Sequence, residues 1–421
     1  MTKMERGDAA LPTYATTPTL ALPISFVEFV AMTAALMALT AMSIDIMLPA
    51  LPAIGKALNV ASANDQQLIV IVYMAGFSAG QLFYGPLSDH FGRKPVLLTG
   101  LGIFVAGTLA ALLSGSFHGL LAARLVQGLG AASPRVVAVA IVRDLYSGRP
   151  MARVLSFTMM VFILIPVLAP SIGQGLLHLG DWRWTFYALL AIALAMTVWA
   201  GLRLPETGPA TAGSRRSLSL WQSFKAAVLQ PQTLGYGAAS GLMFGCLLSY
   251  VASAEQVFVD IFKIGEAFPI AFGAVASTMA LASFVNSRLV ETTGMRKVSH
   301  TALLAFIVVS MLLVLAAHFR VATLPVFATL VATAFFLFGL IAPNFNALAM
   351  EPQGRNAGMA SSVIGSLSTA IGACVGGIIG GSFDGTVMPM ALGFAGCSLA
   401  TLAMVSSLEG RAGLFGANRP V

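Results

Sequence analysis

Charged side chains are scarce in this sequence of 421 residues. Asp, Glu, Lys and Arg together make up 9% of it, and hydrophobic residues make up 57%. Soluble globular proteins carry roughly 25% charged residues, and they rarely expose large contiguous apolar patches. The composition therefore excludes an ordinary soluble protein and predicts a chain that is embedded in a lipid bilayer.

Cysteine and histidine are also few, and neither is arranged for chemistry. The cysteines Cys246, Cys374 and Cys397 lie inside apolar runs without paired spacing, so the sequence supports neither a disulfide framework nor a thiolate metal site. It has no helical pair of histidines and no glycine-rich phosphate loop with its lysine. We therefore predict a protein that is not an enzyme, needs no metal or cofactor and draws energy from an ion gradient.

Two further absences narrow the class of protein. The net charge is +7, but no basic stripe with interleaved aromatic residues lies outside the short loops, so we predict no nucleic-acid partner. The first residues, Met1–Ile24, lack the apolar core of a cleavable signal peptide. We expect the first hydrophobic segment to stay in the mature protein.

Long apolar runs, by contrast, dominate the sequence. A helix needs roughly 20 apolar residues to cross the bilayer core. The runs are continuously apolar, unlike the alternating strands of a membrane β-barrel, so we predict an all-α fold with twelve transmembrane helices. The predicted spans are Phe26–Leu51, Gln66–Leu87, Pro95–Ser114, Leu120–Val142, Val154–Leu177, Trp184–Leu204, Leu234–Val259, Phe268–Val285, Val298–Ala317, Leu324–Leu348, Gly358–Gly381 and Pro389–Ser407.

Basic residues fall mostly on one side of these spans. Only Lys56, Arg183, Lys263 and Arg320 lie in loops on the other side. Because Lys and Arg concentrate in cytoplasmic loops, we predict that both termini are cytoplasmic. The expected location is the inner membrane of a bacterium, which the chain crosses many times.

The longest polar interruption falls at the middle of the chain and is rich in Pro, Gly, Ser and Thr. This composition is typical of a linker, so we predict two pseudo-symmetric six-helix bundles on either side of it. The predicted divisions are a cytoplasmic tail 1–25, a first bundle 26–204, the linker 205–223, a second bundle 224–407 and a cytoplasmic tail 408–421.

A motif that occurs in both halves supports this division. In the loops after the second and eighth spans, an acid precedes a glycine by three residues, and basic residues follow the glycine. These residues are Asp89, Gly92, Arg93 and Lys94 in the first loop and Glu291, Gly294, Arg296 and Lys297 in the second. Duplicated units of this kind are common in secondary transporters.

The first of these loops resembles the signature of the major facilitator superfamily, in which a glycine, an aspartate and a second glycine with basic residues follow at fixed spacing. Arg124, Gln127, Gly128 and Gly130 resemble its fourth-helix motif, and Pro166, Pro170, Gly173 and Gly175 resemble the fifth-helix motif of its antiporters. The resemblance implies two bundles that rock to give alternating access. It also implies a gating role for Gly85, Asp89, Gly92, Arg93, Lys94, Asp144, Pro166, Pro170 and Gly173.

Within the superfamily, three stretches resemble the Bcr/CflA branch of drug:proton antiporters. They are residues 43–52 (SIDIMLPALP), 143–146 (RDLY) and 357–362 (AGMASS). Two positions depart from the pattern: His90 stands where a second basic residue is usual, and Gln174 interrupts a glycine pair. The resemblance implies export of small amphipathic compounds in exchange for protons. The alternative is a proton-coupled importer of a siderophore or nutrient.

Four ionisable side chains lie inside predicted spans, where a charge costs at least about 2.5 kcal/mol and marks a functional position. They are Asp45, Arg124, Arg135 and Glu255. Asp45 and Arg124 fall in the same half of the membrane, so they are expected to face one cavity. We predict that Asp45, Arg124 and Glu255 couple proton movement to transport, since a buried acid responds to nearby cations and to solvent.

Each of these residues has a structural alternative. Asp45 and Arg124 instead form a permanent ion pair. Arg135 lies about three helical turns after Arg124. It has either a functional role, in the pathway of an anionic or strongly polar substrate or in a relay of alternative partners for an acid, or a structural one, in which it bonds backbone carbonyls that Pro134 frees. Glu255 is a second proton site, a binding point for cationic groups or an acid at a water-exposed rim.

The predicted substrate-binding residues are Arg135, Tyr73, Gln81, Tyr250, Asn344 and Asn346, although the uncharged ones could simply bond a neighbouring helix. Glycines at four-residue spacing predict close helix packing at Gly76 and Gly80 and at Gly372, Gly376 and Gly380. The expected partners are a small-molecule substrate, protons and the lipid bilayer. A monomer is expected to suffice, because one chain contains both halves.

Overall fold

The structure is a computed structural model, and it describes residues 24–146, 148–207 and 220–413. The described residues form helices and turns, with no β-strand among them. The helices are α1 (Phe26–Asp45), α2 (Leu51–Ala57), α3 (Leu68–Phe91), α4 (Arg93–Leu113), α5 (Phe117–Leu145), α6 (Gly148–Leu177), α7 (Arg183–Arg203), α8 (Leu220–Val228), α9 (Pro231–Glu255), α10 (Phe268–Thr293), α11 (Met295–His318), α12 (Leu324–Met350), α13 (Ala357–Gly381) and α14 (Met388–Gly413).

The predicted all-α membrane fold is confirmed. Among the described residues, 11 helical segments are long and apolar enough to cross a membrane, and α6 carries a further apolar stretch at Leu164–Leu177. Each of the predicted spans overlaps one of these segments or the stretch on α6. The predicted tails and linker lie partly outside the described residues, which omit 1–23, 208–219 and 414–421.

The predicted end of the first span is wrong. The sequence predicted one helix from Phe26 to Leu51, but α1 ends at Asp45 and a 3₁₀ turn, Leu48–Ala50, leads into α2. Pro49 lacks a backbone N–H and disfavours helical geometry in the residue before it, so the α-helix stops before it. Asp45 therefore stands at a helix end.

Helix contacts fall into two groups. In the first group, α5 packs against α1, α3 and α4, while α1 also packs on α6 and α7. In the second group, α9 packs against α12, α13 and α14, and α11 packs against α12 and α14. The two groups meet along α3 with α13 and along α6 with α10.

The predicted glycine stripes lie at close helix contacts. A Cβ on Gly76 of α3 would overlap the carbonyl oxygen of Leu125 on α5, and one on Gly80 would lie 2.7 Å from the Cβ of Ala132. Gly376 of α13 similarly abuts Leu248 of α9, where a Cβ would lie 2.7 Å from the leucine Cβ. Small residues let membrane helices approach at the level of their backbones.

Gly76→Ala should therefore destabilise the protein. The added methyl group has no space beside the Leu125 carbonyl, and overpacking of this kind costs about 1–3 kcal/mol. Thermal unfolding of the detergent-solubilised protein measures the effect. Gly102→Ala on α4 is the matched control, because a Cβ there meets nothing within 4 Å. Equal unfolding temperatures for the two variants would contradict the packing argument.

Candidate functional site

Arg124 of α5 is fully buried, with 0% of its surface exposed. A guanidinium in an apolar environment must have its donors satisfied, because an unpaired buried charge is very costly. Its Nε donates to the carbonyl of Ile69 at 3.1 Å and its Nη2 donates to the carbonyl of Ser43 at 3.1 Å. Its Nη1 donates to Gln127 Oε1 at 2.5 Å. The arginine thereby ties α1 and α3 to α5.

Two polar side chains complete the surroundings of Arg124. The guanidinium lies over the ring of Tyr73, 4.3 Å from its centroid, and such a cation–π contact is strongest where water is excluded. The Tyr73 hydroxyl donates to the carbonyl of Thr40 at 3.3 Å, and Gln127 Nε2 donates to Thr108 Oγ1 at 2.8 Å. Tyr73, which was predicted to bind substrate, is thus engaged in holding the arginine.

Asp45 is buried at the end of α1, with 4% of its surface exposed. Arg124 bonds the carbonyl of the nearby Ser43 instead of this carboxylate. Within the described part of the chain, the Asp45 carboxylate has no hydrogen bond and no ion pair. The interpretation as a permanent ion pair with Arg124 is therefore wrong for this structure. Charge on Asp45 is costly here unless a proton or a ligand compensates it.

The fifth-helix motif packs beside the same helix end. Gly173 of α6 lies against the backbone of Ile46, which directly follows Asp45, and a Cβ on the glycine would overlap the Ile46 carbonyl oxygen. Pro166 and Pro170 both lie inside α6, half-buried and buried respectively. The motif thus positions α6 against the acid-bearing end of α1.

Glu255 ends α9, and 8% of its surface is exposed. The chain continues as a π-helix over Gln256–Ile261, and π turns are rare and frequently mark functional positions. Among the described residues, no hydrogen bond or ion pair engages the Glu255 carboxylate. The alternative that Glu255 lies at a water-exposed rim is wrong, while its role as a second proton site stays a prediction.

Three of the other predicted residues differ in their surroundings. Arg135 is half-buried on α5, directly after Pro134, which lies inside the helix. Asn344 of α12 donates to Asn286 Oδ1 at 2.7 Å and to the carbonyl of Leu340. Asn346 is exposed. Asn344 thus bonds a neighbouring helix, whereas both interpretations of Arg135 stay open.

Tyr250 lies in an aromatic cluster. Its ring stacks on Phe272 with centroids 5.4 Å apart, and it meets Phe335 edge-on at 4.8 Å. The Tyr250 hydroxyl is buried, and no hydrogen-bond partner for it lies among the described residues. A buried hydroxyl without a partner is costly, and this one lies among the aromatic rings of α9, α10 and α12.

Gln81 bridges the two helix groups. Its Nε2 donates to Thr369 Oγ1 at 3.0 Å and to the carbonyl of Gly365, both on α13. Nearby, Ser78 Oγ donates to the carbonyl of Ser366 at 2.8 Å. Both contacts cross from α3 to α13, which places Gln81 at the contact between the groups.

The motif after α3 forms an ionic cluster. Arg93 is buried, and its Nη1 donates to Asp89 at 2.5 Å while its Nε donates to Asp144 at 2.7 Å. Gly92 adopts a φ of +95°, a conformation that favours glycine, and thereby turns the chain from α3 into α4. Because Asp144 ends α5, the cluster joins α3, α4 and α5 at one face of the membrane.

Glu206 completes this cluster, and the sequence analysis missed it. Its carboxylate accepts from the backbone N–H groups of Arg93 at 2.8 Å and Lys94 at 3.2 Å. The first N–H groups of a helix have no partner within the helix, and a negative charge is favoured there. Glu206 therefore caps α4.

The second half carries a comparable cluster at the corresponding place. Arg296 follows Gly294, which has a φ of +82°. Its Nη2 donates to Glu351 at 2.7 Å and its Nε donates to Glu409 at 2.9 Å. The Tyr236 hydroxyl also donates to Glu409, at 2.8 Å. The repeated motif predicted the arginine, but it did not identify these two acids.

The comparisons with known proteins agree with this geometry. A family model described as Major Facilitator Superfamily matches residues 33–380. The chain belongs to this superfamily.

Its relatives in the superfamily include named resistance proteins. It is 32% identical over 367 residues to a "Bicyclomycin resistance protein homolog" of Haemophilus influenzae, covering 84% of this chain and 89% of that protein. It is 31% identical over 354 residues to "Multidrug resistance protein D" of Escherichia coli, covering 81% and 85%. The resemblance to the superfamily and to its Bcr/CflA branch is confirmed.

Solved superfamily structures share the fold. A partially occluded, inward-open structure of the xylose transporter XylE from E. coli matches with a TM-score of 0.70 at 11% identity, covering 93% of this chain and 99% of that one. The human organic anion transporter MFSD10 matches with a TM-score of 0.65 at 19% identity, covering 90% and 99%. At these identities the likeness concerns the fold alone.

The Glu206 cap can be tested by substitution. Glu206→Ala removes the acceptor for the α4 N–H groups and should destabilise the protein by about 1 kcal/mol, the usual worth of a helix cap. Glu206→Gln keeps one acceptor oxygen and should lose less. Thermal unfolding compares the variants, and an Ala variant as stable as the Gln variant would contradict the capping role.

Proposed function

We propose that this superfamily member is a proton-coupled exporter of small amphipathic compounds. Two relatives that it matches over most of its length are named for bicyclomycin and multidrug resistance. The observation that carries the coupling is Asp45, a buried carboxylate that no cation among the described residues holds. Protons and substrate compete for the space around it.

The arrangement in the membrane follows from the distribution of charge. We call the end of the helices that carries Arg93 and Arg296 the basic face, and the other end the opposite face. In this proposal the basic face is cytoplasmic, as are both termini, and the membrane is a bacterial inner membrane. Residues 26–204 and 224–407 are the two units that rock, and residues 205–223 connect them.

Coupling requires that proton uptake and substrate binding exclude each other. Arg124 is fully engaged by carbonyls, Gln127 and Tyr73, so it acts as a fixed positive charge near Asp45 and does not neutralise it directly. A proton that reaches Asp45 removes its charge and releases bound substrate. Each charge moved across 100 mV contributes about 2.3 kcal/mol, which suffices to drive accumulation outside the cell.

Asp45→Asn should abolish drug-dependent proton movement. Inside-out vesicles that contain the protein are energised, and a quenched acidity dye reports proton release from the lumen when bicyclomycin is added. The wild type should restore fluorescence, whereas Asp45→Asn should not, because the amide cannot take up a proton. Glu266→Gln is the matched control, since that acid is exposed, and it should behave like the wild type.

Two outcomes would contradict the proposal. Proton release in Asp45→Asn that equals the wild type would remove Asp45 from the coupling. Fluorescence that falls further when bicyclomycin is added outside the vesicles would indicate that protons enter the lumen together with the drug. That second outcome would favour the alternative of a symporter.

A further inference from the structure

Three amide side chains form a hydrogen-bonded chain across the two helix groups at the opposite face. Gln67 Nε2 donates to Gln256 Oε1 at 2.6 Å, and Gln256 Nε2 donates to Asn64 Oδ1 at 3.1 Å. Asn64 Nδ2 then donates to the carbonyls of Gly381 at 3.1 Å and Phe383 at 2.8 Å. Asn64 and Gln67 precede α3 in the first group, whereas the other residues belong to the second.

We infer that Asn64, Gln67 and Gln256, here called the amide latch, close the transport pathway at the opposite face in one state of the cycle. The inference rests on the proposed function in one respect only, that the two halves rock against each other. The three residues are positioning residues: they set which face is closed and do not themselves bind protons.

The latch supplies hydrogen bonds to backbone carbonyls that have no partner within their own helix. The last carbonyls of a helix have no partner within it, and Asn64 supplies donors to the carbonyls at and just beyond the end of α13. Gln67 and Gln256 are 3% and 5% exposed, so their amides need partners from protein rather than from bulk water. The first half thus caps a helix of the second half.

The chain of amides ends on an acceptor without a donor. Gln67 Oε1 is buried, and it has no hydrogen-bond partner among the described residues. This oxygen lies against Gly380 of α13, where a Cβ would overlap it. A half-satisfied polar group is costly to keep buried, and opening the latch to water removes that cost. The closed state is therefore poised to open.

Uncharged latch groups suit a contact that must break in every cycle. Amide hydrogen bonds exchange for bonds to water at a small net cost, whereas separating a buried ion pair leaves unpaired charges. The ionic clusters of Arg93 and Arg296 each lie inside one helix group. Among the described residues, the ion pairs of these two clusters thus lie within one half each, whereas the amide contacts of the latch join the halves.

The latch also adjoins the buried acid of the second half. Gln256 directly follows Glu255, at the point where α9 becomes a π-helix. Glu255 and the latch therefore share the helix end at which α9 loses α-helical geometry.

Distance measurements between spin labels test the inference. Ala61→Cys and Glu266→Cys place labels at exposed positions of the two helix groups near the opposite face, in a background in which Cys246, Cys374 and Cys397 are alanine. His90→Cys and Thr292→Cys do the same at the basic face. Gln67→Met or Gln256→Met keeps the side-chain volume but removes the amide.

Each methionine variant should raise the ratio of long to short distances at the opposite face roughly tenfold, as expected for the loss of about one or two hydrogen bonds. The distances at the basic face should shorten in parallel. Gly380→Ala, whose added Cβ displaces the Gln67 amide without removing it, should act in the same direction. A variant that is merely damaged in structure would broaden the distance distributions at both faces. It would not lengthen the distances at the opposite face while shortening those at the basic face.

Gln66→Ala is the matched control. This neighbouring glutamine is half-buried and packs against Gly55 of α2 in its own helix group, so its removal should leave both distributions unchanged. Unaltered distances in Gln67→Met, Gln256→Met and Gly380→Ala, each shown by thermal unfolding to be folded, would overturn the inference. The measurement needs neither substrate nor a proton gradient, so it fails or succeeds independently of the Asp45 experiment.

Discussion

The burial of Arg124 constrains the rest of the first helix group. A cation in an apolar interior must find acceptors, and this one takes two of them from the backbones of α1 and α3. Ser43 lies near the end of α1, and Ile69 lies near the start of α3. The close contact of α3 with α5 requires glycines such as Gly76. Because backbone carbonyls and Gln127 accept the hydrogen bonds of Arg124, the arginine forms no ion pair with the Asp45 carboxylate.

This division of partners separates two tasks that a direct ion pair would combine. An Asp45–Arg124 pair would hold the helices together, and breaking it in every cycle would leave a buried charge uncompensated. With the arginine fixed by neutral groups, the helices keep their arrangement whether or not Asp45 is charged. A change in the charge of Asp45 therefore breaks no ion pair with Arg124.

Sequence patterns predicted the membrane spans, the family and the ionic motif because each of these is written in local composition or spacing. Continuous apolar runs mark the helices, and Asp89, Gly92 and Arg93 stand at fixed intervals. The partners of Arg124 could not be found this way, since two of them are backbone carbonyls that every residue possesses. Glu351 and Glu409 could have been predicted from the sequence. Glu351 directly follows α12 and Glu409 lies near the end of α14, just as Asp144 and Glu206 lie near the ends of α5 and α7.

The two halves share these ionic clusters but differ in the interior, and the difference bears on how the cargo is held. In the first half, Arg124 of α5 bonds carbonyls near the end of α1 and the start of α3, and the Asp45 carboxylate ends α1. In the second half, Tyr250, Phe272 and Phe335 form an aromatic wall with a single unpartnered hydroxyl. An aromatic wall binds through area and shape, with few directional demands. The first half therefore presents buried charged groups in its interior, and the second half presents an aromatic surface.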